Sequence, residues 1–394
     1  MDKKTVRDID VAGKRVLVRV DFNVPLNEKR EVTDDSRIRA ALPTIKYLLD
    51  KNAKVILVSH LGRPKGKVDE ALRLDPVAKV LENLLGTKVL KLDKVITEEV
   101  EAAVKTLDHN QVILLENMRF YVEEQENDPE FARKLASLAD VFVDDAFGTA
   151  HRAHASTVGV TKYLPSVAGF LLEKEVDALT RLVQNPSKPF IAILGGNKVS
   201  DKIGVIKRLL ETVDGIVTGG GMSFTFLKAQ GYEIGKSIFE PEQLEEAKHV
   251  LEYTEREGIL FYLPEDVVVA DSFSADAKGR VVNVEDIPPD WYGLDIGPTT
   301  VELYQEVISE AKTIFWNGPM GVFEWDAFTN GTRKMAEAIA HSNALTIVGG
   351  GDSDAALKKF DLTSAISHIS TGGGASMMVL EGKPLPAVEA LMDK

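Results

Sequence analysis

The chain has 394 residues, 44% of them hydrophobic and 27% charged, with a formal net charge of −14, no cysteine and no apolar run of membrane-spanning length. Lacking cysteine, it has no disulfide, no thiolate zinc site and no thiol nucleophile, and an excess of acid this large excludes general binding to nucleic acid, whose phosphates demand a basic face. The length exceeds one ordinary core, so two domains are expected, and the start, Met1–Thr5, has no apolar secretory segment, which together with the missing cysteines predicts a cytoplasmic chain.

Short β-rich runs alternate with stretches of helical period. Strands are expected at Arg15–Val20, Lys54–Val58, 111–115 and 140–143 in the first half. In the second half they are expected at Phe190–Leu194, Gly215–Thr218, 259–262, 313–316, 345–348 and 366–369. Most are apolar throughout, as in parallel strands covered on both faces. Helical stretches such as Asp75–Leu85, 128–139 and 241–257 lie between them. The pattern predicts an α/β protein of βαβ units in doubly wound, mainly parallel sheets with helices on both faces. A helical stretch at 173–183, followed by Pro186 and Pro189, reads as a connector between the halves.

In an open α/β sheet, ligands sit beyond the carboxyl ends of the strands. The first-half strands are followed by Asp21-Phe22-Asn23, by Ser59-His60-Leu61-Gly62-Arg63, by Glu116-Asn117-Met118-Arg119, and by Asp144-Asp145 leading to His151, Arg152 and His154. Arg37 follows the first of these loops. The topology thus predicts one sheet edge lined with His60, Arg63, Arg119, Arg152 and Arg37, a site for an anion held by arginine forks. His151 and His154 read equally well as structural residues.

The second half carries Gly195-Gly196 and three glycine triplets, 219–221, 349–351 and 372–374, each after an apolar run and before a helix start. Such turns open backbone N–H groups to a close phosphate. Lys198 and Lys202, four residues apart at an expected helix start beside Gly196 and Asn197, would share one face and neutralise phosphates. Asn317-Gly318-Pro319 follows a strand and leads to Glu324, a carboxylate suited to ribose hydroxyls or to a helix start. Asp352 directly follows a triplet and could meet Mg²⁺ on a phosphate chain. The chain has neither a G-x-x-x-x-G-K-[ST] loop nor a G-x-G-x-x-G fingerprint, so neither a Walker loop nor a dinucleotide fold is expected.

Six longer motifs, in order from the first strand to the last helix, carry a resemblance. They are Arg19-Val-Asp-Phe-Asn-Val-Pro25, Ser59-His-Leu-Gly-Arg-Pro-Lys-Gly66, Leu115-Glu-Asn-Met-Arg-Phe120, the run from Asp145 to Ser156, Trp316-Asn-Gly-Pro-Met-Gly-Val-Phe-Glu324 and Ile369-Ser-Thr-Gly-Gly-Gly-Ala-Ser376. Together they resemble phosphoglycerate kinase. The resemblance implies two Rossmann-like domains joined by a hinge helix: 1–172 for 3-phosphoglycerate, 173–188 as helix and linker, 189–376 for nucleotide, and 377–394 as a tail returning to the first domain. It implies reversible phosphoryl transfer between 1,3-bisphosphoglycerate and ADP, with Mg²⁺, in a monomer with small-molecule substrates.

On the family pattern, Asp21, Asn23, Arg37, His60, Arg63, Arg119 and Arg152 bind the acid, with Phe22, Ser59, Leu61, Gly62 and His151 in the same loops. Nucleotide falls to Lys202, Glu324 and Gly350, Gly351, Asp352 and Ser353, with Gly196, Asn197, Gly219, Gly220, Asn317 and Pro319 on the neighbouring turns and Gly293 or Gly297 near the base. Arg37 and Lys198, with Lys202 and the N–H groups around Gly373 and Gly374, would stabilise the transferred group. Hinge closure over helix 173–186 and the tail would expel water. The chain departs from the family pattern at Asp144, Asn197 and Asp354, and none of these three replaces a residue given a role.

Overall fold

The structure, a computed structural model, describes residues 1–394. The chain divides into two compact units, Met1–Asp177 with Pro384–Lys394, and Ala178–Lys383.

The first unit is built on six parallel strands: β1 (Arg15–Val20), β2 (Lys54–Val58), β3 (Lys88–Lys91), β4 (Gln111–Leu114), β5 (Val141–Asp145) and β6 (Ser166–Ala168), in the order β3-β4-β2-β1-β5-β6. Helices α1 (Ser36–Asp50), α2 (Asp75–Leu85), α3 (Glu98–Lys105), α4 (Val122–Gln125) and α5 (Pro129–Ala136) alternate with them. The order turns about β1: the chain runs outward on one side through β2, then returns to β5 on the other. A crevice opens where such an order reverses. Local signals set the helix ends. Asp128 accepts from Phe131 N at 2.7 Å and precedes Pro129, so the expected helix at 128–139 begins one residue later, and the chain leaves it at Ser137. Asp140, expected in a strand, instead holds the Arg15 guanidinium and backbone. The short edge strands β3 and β6 have no apolar run to announce them.

Helix α6 (Phe170–Gln184) starts in the first unit, where Asp145 Oδ1 accepts from Leu171 N at 2.8 Å and Leu172 N at 3.2 Å. Residues from Pro384 belong to the first unit too: Ala387 N donates to Ala150 O at 3.1 Å and Met392 N to Ser166 O at 3.0 Å.

The second unit repeats the plan with β7 (Phe190–Leu194), β8 (Gly215–Thr218), β9 (Leu260–Tyr262), β13 (Thr313–Asn317), β14 (Leu345–Gly349) and β15 (His368–Ile369), parallel in the order β15-β14-β13-β7-β8-β9. It also carries a second sheet not foreseen from the sequence, the antiparallel β10 (Asp266–Ala270), β11 (Arg280–Asn283) and β12 (Tyr292–Ile296), in the order β11-β10-β12. The helices are α7 (Ile203–Leu209), α8 (Gly221–Ala229), α9 (Leu244–Glu257), α10 (Pro298–Glu310), α11 (Asn330–His341), α12 (Gly351–Lys359) and α13 (Gly373–Leu380); α14 (Pro386–Glu389) lies in the returning tail. Here the order reverses between β7 and β13, which pair directly from Phe190 and Thr313 to Leu194 and Asn317.

Candidate active site

In the first unit the loops beyond β1, β2, β4 and β5 are tied into one wall by their own polar groups. Ser59 Oγ accepts from Phe22 N at 2.9 Å, and Asn23 Oδ1 accepts from Gly62 N at 2.8 Å. Asn117 bridges further, accepting from Leu61 N at 3.2 Å and donating to Leu61 O at 2.8 Å and Leu72 O at 2.9 Å. The side chains of Phe22 and Leu61 are buried in the core, which leaves only their backbone to the loops.

Of the basic side chains expected at this edge, Arg37, Arg119, Arg152 and His60 lie within one another's fields. Arg37 pairs with Asp21, which is buried, and Gly148 leaves room for that pair, since a Cβ there would strike Asp21 Oδ2 and lie 3.2 Å from Arg37 Nη1. Arg119 donates to Gly62 O at 2.9 Å, and its buried Nε has no partner. Burial, and then the charges of Arg152 and Arg19, pull Arg119 down to about 10, still cationic near neutrality. Arg152 Nε donates to His151 Nε2 at 3.1 Å. Burial followed by the nearby arginines lowers His60 far below the usual histidine range and holds His154 at about 4, so these rings are neutral. Arg63 is exposed. The cluster is crowded with positive charge, and burial without an anion is costly for each member.

In the second unit the corresponding wall is made of backbone. Gly195 N donates to Asn317 O and Gly196 N to Pro319 O, both at 3.0 Å, and Gly220 N donates to Met320 O at 2.8 Å. Gly220 has φ +66°, and a Cβ on it would sit 2.8 Å from both Gly196 N and Gly196 O. Ser353 Oγ accepts from Gly318 N at 2.7 Å, which locks the start of α12 to the turn after β13. Gly373, at the start of α13, lies against the Gly350 turn, 3.7 Å from Gly350 Cα to the site of its missing Cβ.

Two adjoining clefts follow. One, of about 400 Å³, is lined by Gly293, Pro319, Val322, Glu324 and the aromatic Phe273 and Trp325. The other, of about 210 Å³, is lined by Lys198, Lys202, Asn317, Gly350, Gly351 and Ser353. Gly196, Asn197 and Asp352 line both. An apolar end thus continues into a glycine-and-lysine end. Lys202 donates to Asn317 Oδ1, and burial holds its ammonium at about 8 despite the opposing charges of Asp201 and Asp352.

Three expectations for this unit change. Lys198 and Lys202 are not on a helix, because α7 begins at Ile203. The Gly196 turn and the 2.8 Å bond from Lys202 N to Val199 O bend the segment, and both lysines reach the same cleft from a turn. Of the two glycines proposed near the base, Gly293 lines the larger cleft, whereas Gly297 precedes α10 with its Cα packed on Asp266. Gly219 backs onto Met320. Sequence reasoning missed Phe273 and Trp325, whose rings meet edge to face at 4.8 Å. Phe273 is 62% exposed in a run of Ser, Asp and Ala, and a lone large aromatic in such a run was the available signal.

A basic loop cluster on one parallel sheet and a glycine-walled cleft on another define the class: a two-domain α/β phosphotransferase. The phosphoglycerate kinase family model matches residues 6–383. Curated phosphoglycerate kinases of Dictyoglomus turgidum and Moorella thermoacetica are 60% and 57% identical to this chain, each alignment covering 100% of both chains. Solved structures of the enzymes from Coxiella burnetii and Pyrococcus horikoshii match with TM-scores of 0.88 and 0.84 at 44% and 33% identity, covering 98% of each chain. The chain belongs to the phosphoglycerate kinase family. It is a glycolytic kinase, which transfers a phosphoryl group reversibly between 1,3-bisphosphoglycerate and ADP to give 3-phosphoglycerate and ATP. No helix is long and apolar enough to cross a membrane.

Proposed function

We propose that the first unit holds the glycerate substrate and the second the nucleotide. The observation that carries the first half of this reading is the excess of buried cation: Arg119 keeps an unpartnered Nε among Arg19, Arg37 and Arg152, with Asp21 and Glu124 as the acids in its field. A phosphate and a carboxylate would supply the missing charge. Asp21, Asn23, Arg37, His60, Arg63, Arg119 and Arg152 contact the acid, and His151 orients Arg152. In the second unit the base lies toward Gly293 and Val322, ribose hydroxyls meet Glu324, and the phosphates run along Gly196, Asn197, Lys202 and the Gly350–Ser353 turn.

The donor set fits Mg²⁺ only as a companion of phosphates. No group of three or more His, Cys, Asp or Glu side chains could hold a metal ion, while Asp352 is an exposed carboxylate beside the glycine turn. Mg²⁺ takes one or two carboxylates plus phosphate oxygens. Asp352 would hold it, and the ion would offset nucleotide charge.

Nothing in the reaction needs a general base, since the attacking oxygen is already a carboxylate or a phosphate. The chain's task is positioning and charge stabilisation. Arg37 from one unit, and Lys198, Lys202 and the N–H groups at Gly373 and Gly374 from the other, act on the three equatorial oxygens. That requires the two units to close on their ligands, with α6 and the returning tail as the flexing elements. Closure excludes water that would hydrolyse an acyl phosphate. We read the enzyme as a cytoplasmic monomer.

Limited proteolysis tests the division of labour. Mg·ADP is expected to protect sites between Ala178 and Lys383, and 3-phosphoglycerate to protect sites before Asp177. Protection of the same unit by both ligands would refute the reading.

A further inference from the structure

We infer that Arg19 is a positioning residue which, from within the core, fixes His60 as a neutral imidazole carrying its proton on Nε2. The inference rests on the reading of the first unit's loops as the acid site. Arg19 has no exposed surface and is among the largest fully buried side chains of the protein. It stands in β1, a strand otherwise made of valine and leucine apart from the Arg15 at its start. A buried guanidinium in such a strand is costly unless its donors are used. All three of its nitrogens are. Nε donates to Ser156 Oγ at 2.9 Å, Nη1 to the Val20 carbonyl, and Nη2 lies 3.2 Å from His60 Nδ1.

The last contact has one chemical reading. Arginine has five N–H donors, no acceptor, and no neutral form near physiological pH. His60 Nδ1 therefore accepts. An imidazole that accepts at Nδ1 carries its hydrogen at Nε2 if neutral. It is neutral, because burial comes first and the charges of Arg19, Arg119 and Arg37 and the nearby His154 add to it. Asp21 Oδ1 is 3.8 Å from Nδ1, too far to accept a hydrogen bond in place of this contact.

Arg19 is itself held. Ser156 Oγ donates to Glu124 Oε1 at 2.6 Å, and Ser156 N to Glu124 Oε2 at 2.9 Å. Glu124, Ser156, Arg19 and His60 form a buried chain that ends at the ligand loops. Glu124 balances the guanidinium charge. The consequence at the site is specific. An Nε2–H donates to a carboxylate or hydroxyl oxygen without adding another cation to a cluster that already crowds several. The other tautomer would present a lone pair at Nε2 and repel the same oxygen.

NMR of protein labelled with ¹⁵N-histidine distinguishes the two ring nitrogens. Unaltered protein is expected to show His60 with bare Nδ1 and protonated Nε2, and with signals that shift on adding 3-phosphoglycerate. In Arg19→Lys, whose shorter ammonium cannot keep all three contacts, the tautomers are expected to mix. The KM for 3-phosphoglycerate should rise about tenfold, the scale of one hydrogen bond to a charged group, with the KM for ATP unchanged. Ser156→Ala keeps Arg19 and its fold-balancing charge, and should give the same split at about threefold. An imidazolium or an Nδ1–H tautomer in unaltered protein overturns the assignment. So does a split in which both KM values rise together. A correct tautomer whose signals ignore 3-phosphoglycerate overturns instead the placing of the acid site, and with it any role for Arg19 in the reaction.

Discussion

The two units use one topology and opposite materials. Both place their loops where the strand order reverses about a central parallel pair. The first lines that crevice with long charged side chains, so that Arg37, Arg119 and Arg152 stand among His60, His151 and His154. The second lines it with glycine, and its turns are so closely stacked that a Cβ at Gly195 or Gly318 would strike backbone. On the division of ligands proposed above, the contrast follows from what each ligand asks. A small acid with a phosphate at one end and a carboxylate at the other needs discrete forks at separate points. A polyphosphate chain needs a close continuous approach, which N–H groups at helix starts supply where no side chain intervenes. In the first unit a substitution removes a contact; in the second it deforms a wall.

That difference can be broken by experiment, and the largest effect belongs to the first unit. Arg37→Ala should lower kcat by about 10²-fold or more, the scale of losing a key charge-stabilising donor, measured on protein shown to be folded, since Arg37 is also the ion-pair partner of the buried Asp21. Steady-state kinetics with unchanged kcat would remove Arg37 from the catalytic set.

Gly220→Ala should act in the other way. Its φ of +66° and the 2.8 Å approach to Gly196 force either strain or displacement, worth about 2 kcal/mol of the second unit's stability. The three tryptophans, Trp291, Trp316 and Trp325, all lie in that unit, so denaturation followed by tryptophan fluorescence reads it alone. ADP affinity should fall in parallel while 3-phosphoglycerate affinity holds. An alanine that weakened ADP with no loss of stability would mean the glycine serves the ligand only.

Lys202 gives the comparison a pH axis. Its ammonium titrates at about 8 in the free protein instead of 10.5. Phosphates beside it favour the charged form, so binding draws the lysine back to its proton. At about pH 8.5 ADP binding should take up a fraction of a proton, and at about pH 6.5 none, because the lysine is already charged. Affinity should weaken as pH rises through 8. Calorimetry in buffers of different ionisation heat measures the uptake, and Lys202→Gln should abolish it.

How much of this was legible in the sequence depended on which physical signal marked each part. Strands covered on both faces are continuous apolar runs, and β1, β2, β7 and β8 stand where the sequence put them. Of the antiparallel β10–β12 sheet, β10 does carry an apolar run, Val267–Ala270, which the sequence reading passed over; β11, Arg-Val-Val-Asn, is exposed along most of its length and β12 is interrupted by Gly293 and Asp295, so neither marked a sheet. Of 366–369 only His368 and Ile369 form a strand, paired with Ile347 and Val348, because one position earlier Thr346 and Ser367 meet through their side-chain hydroxyls instead of the backbone ladder. The basic cluster was legible because its members follow successive strands. Arg19 was not, because a charge inside an apolar strand looks like an interruption until its buried partners are seen. Lys198 and Lys202 were assigned to one site for the wrong reason, helical spacing, where a glycine turn does the work.

The smallest expected effect bears on a departure from the family pattern. Asp144 is fully buried on β5; its Oδ1 accepts from Ala146 N at 3.0 Å and its Oδ2 has no partner. Burial pushes its carboxyl from 3.8 up to about 6, with Arg19 and the Ala146 bond opposing. A raised folded value means that the native state holds the proton more tightly than the unfolded chain. Its contribution to stability is therefore present in full below 3.8 and is lost as pH rises through 6. At about pH 8 the fold carries an ionised, half-satisfied carboxylate, a load of roughly 3 kcal/mol for two pKa units. Asp144→Asn lifts that load but leaves amide hydrogens to be satisfied, so a net gain of about 1 kcal/mol is expected at pH 8, vanishing or reversing near pH 4.5. Hydrogen exchange of the β1 and β5 amides reads the first unit directly, where tryptophan fluorescence is silent. A gain equal at both pH values would show that Asp144 stays ionised throughout, with Arg19 rather than burial setting its state, and would make the charge balance of the acid site depend on this side chain as well as on Glu124.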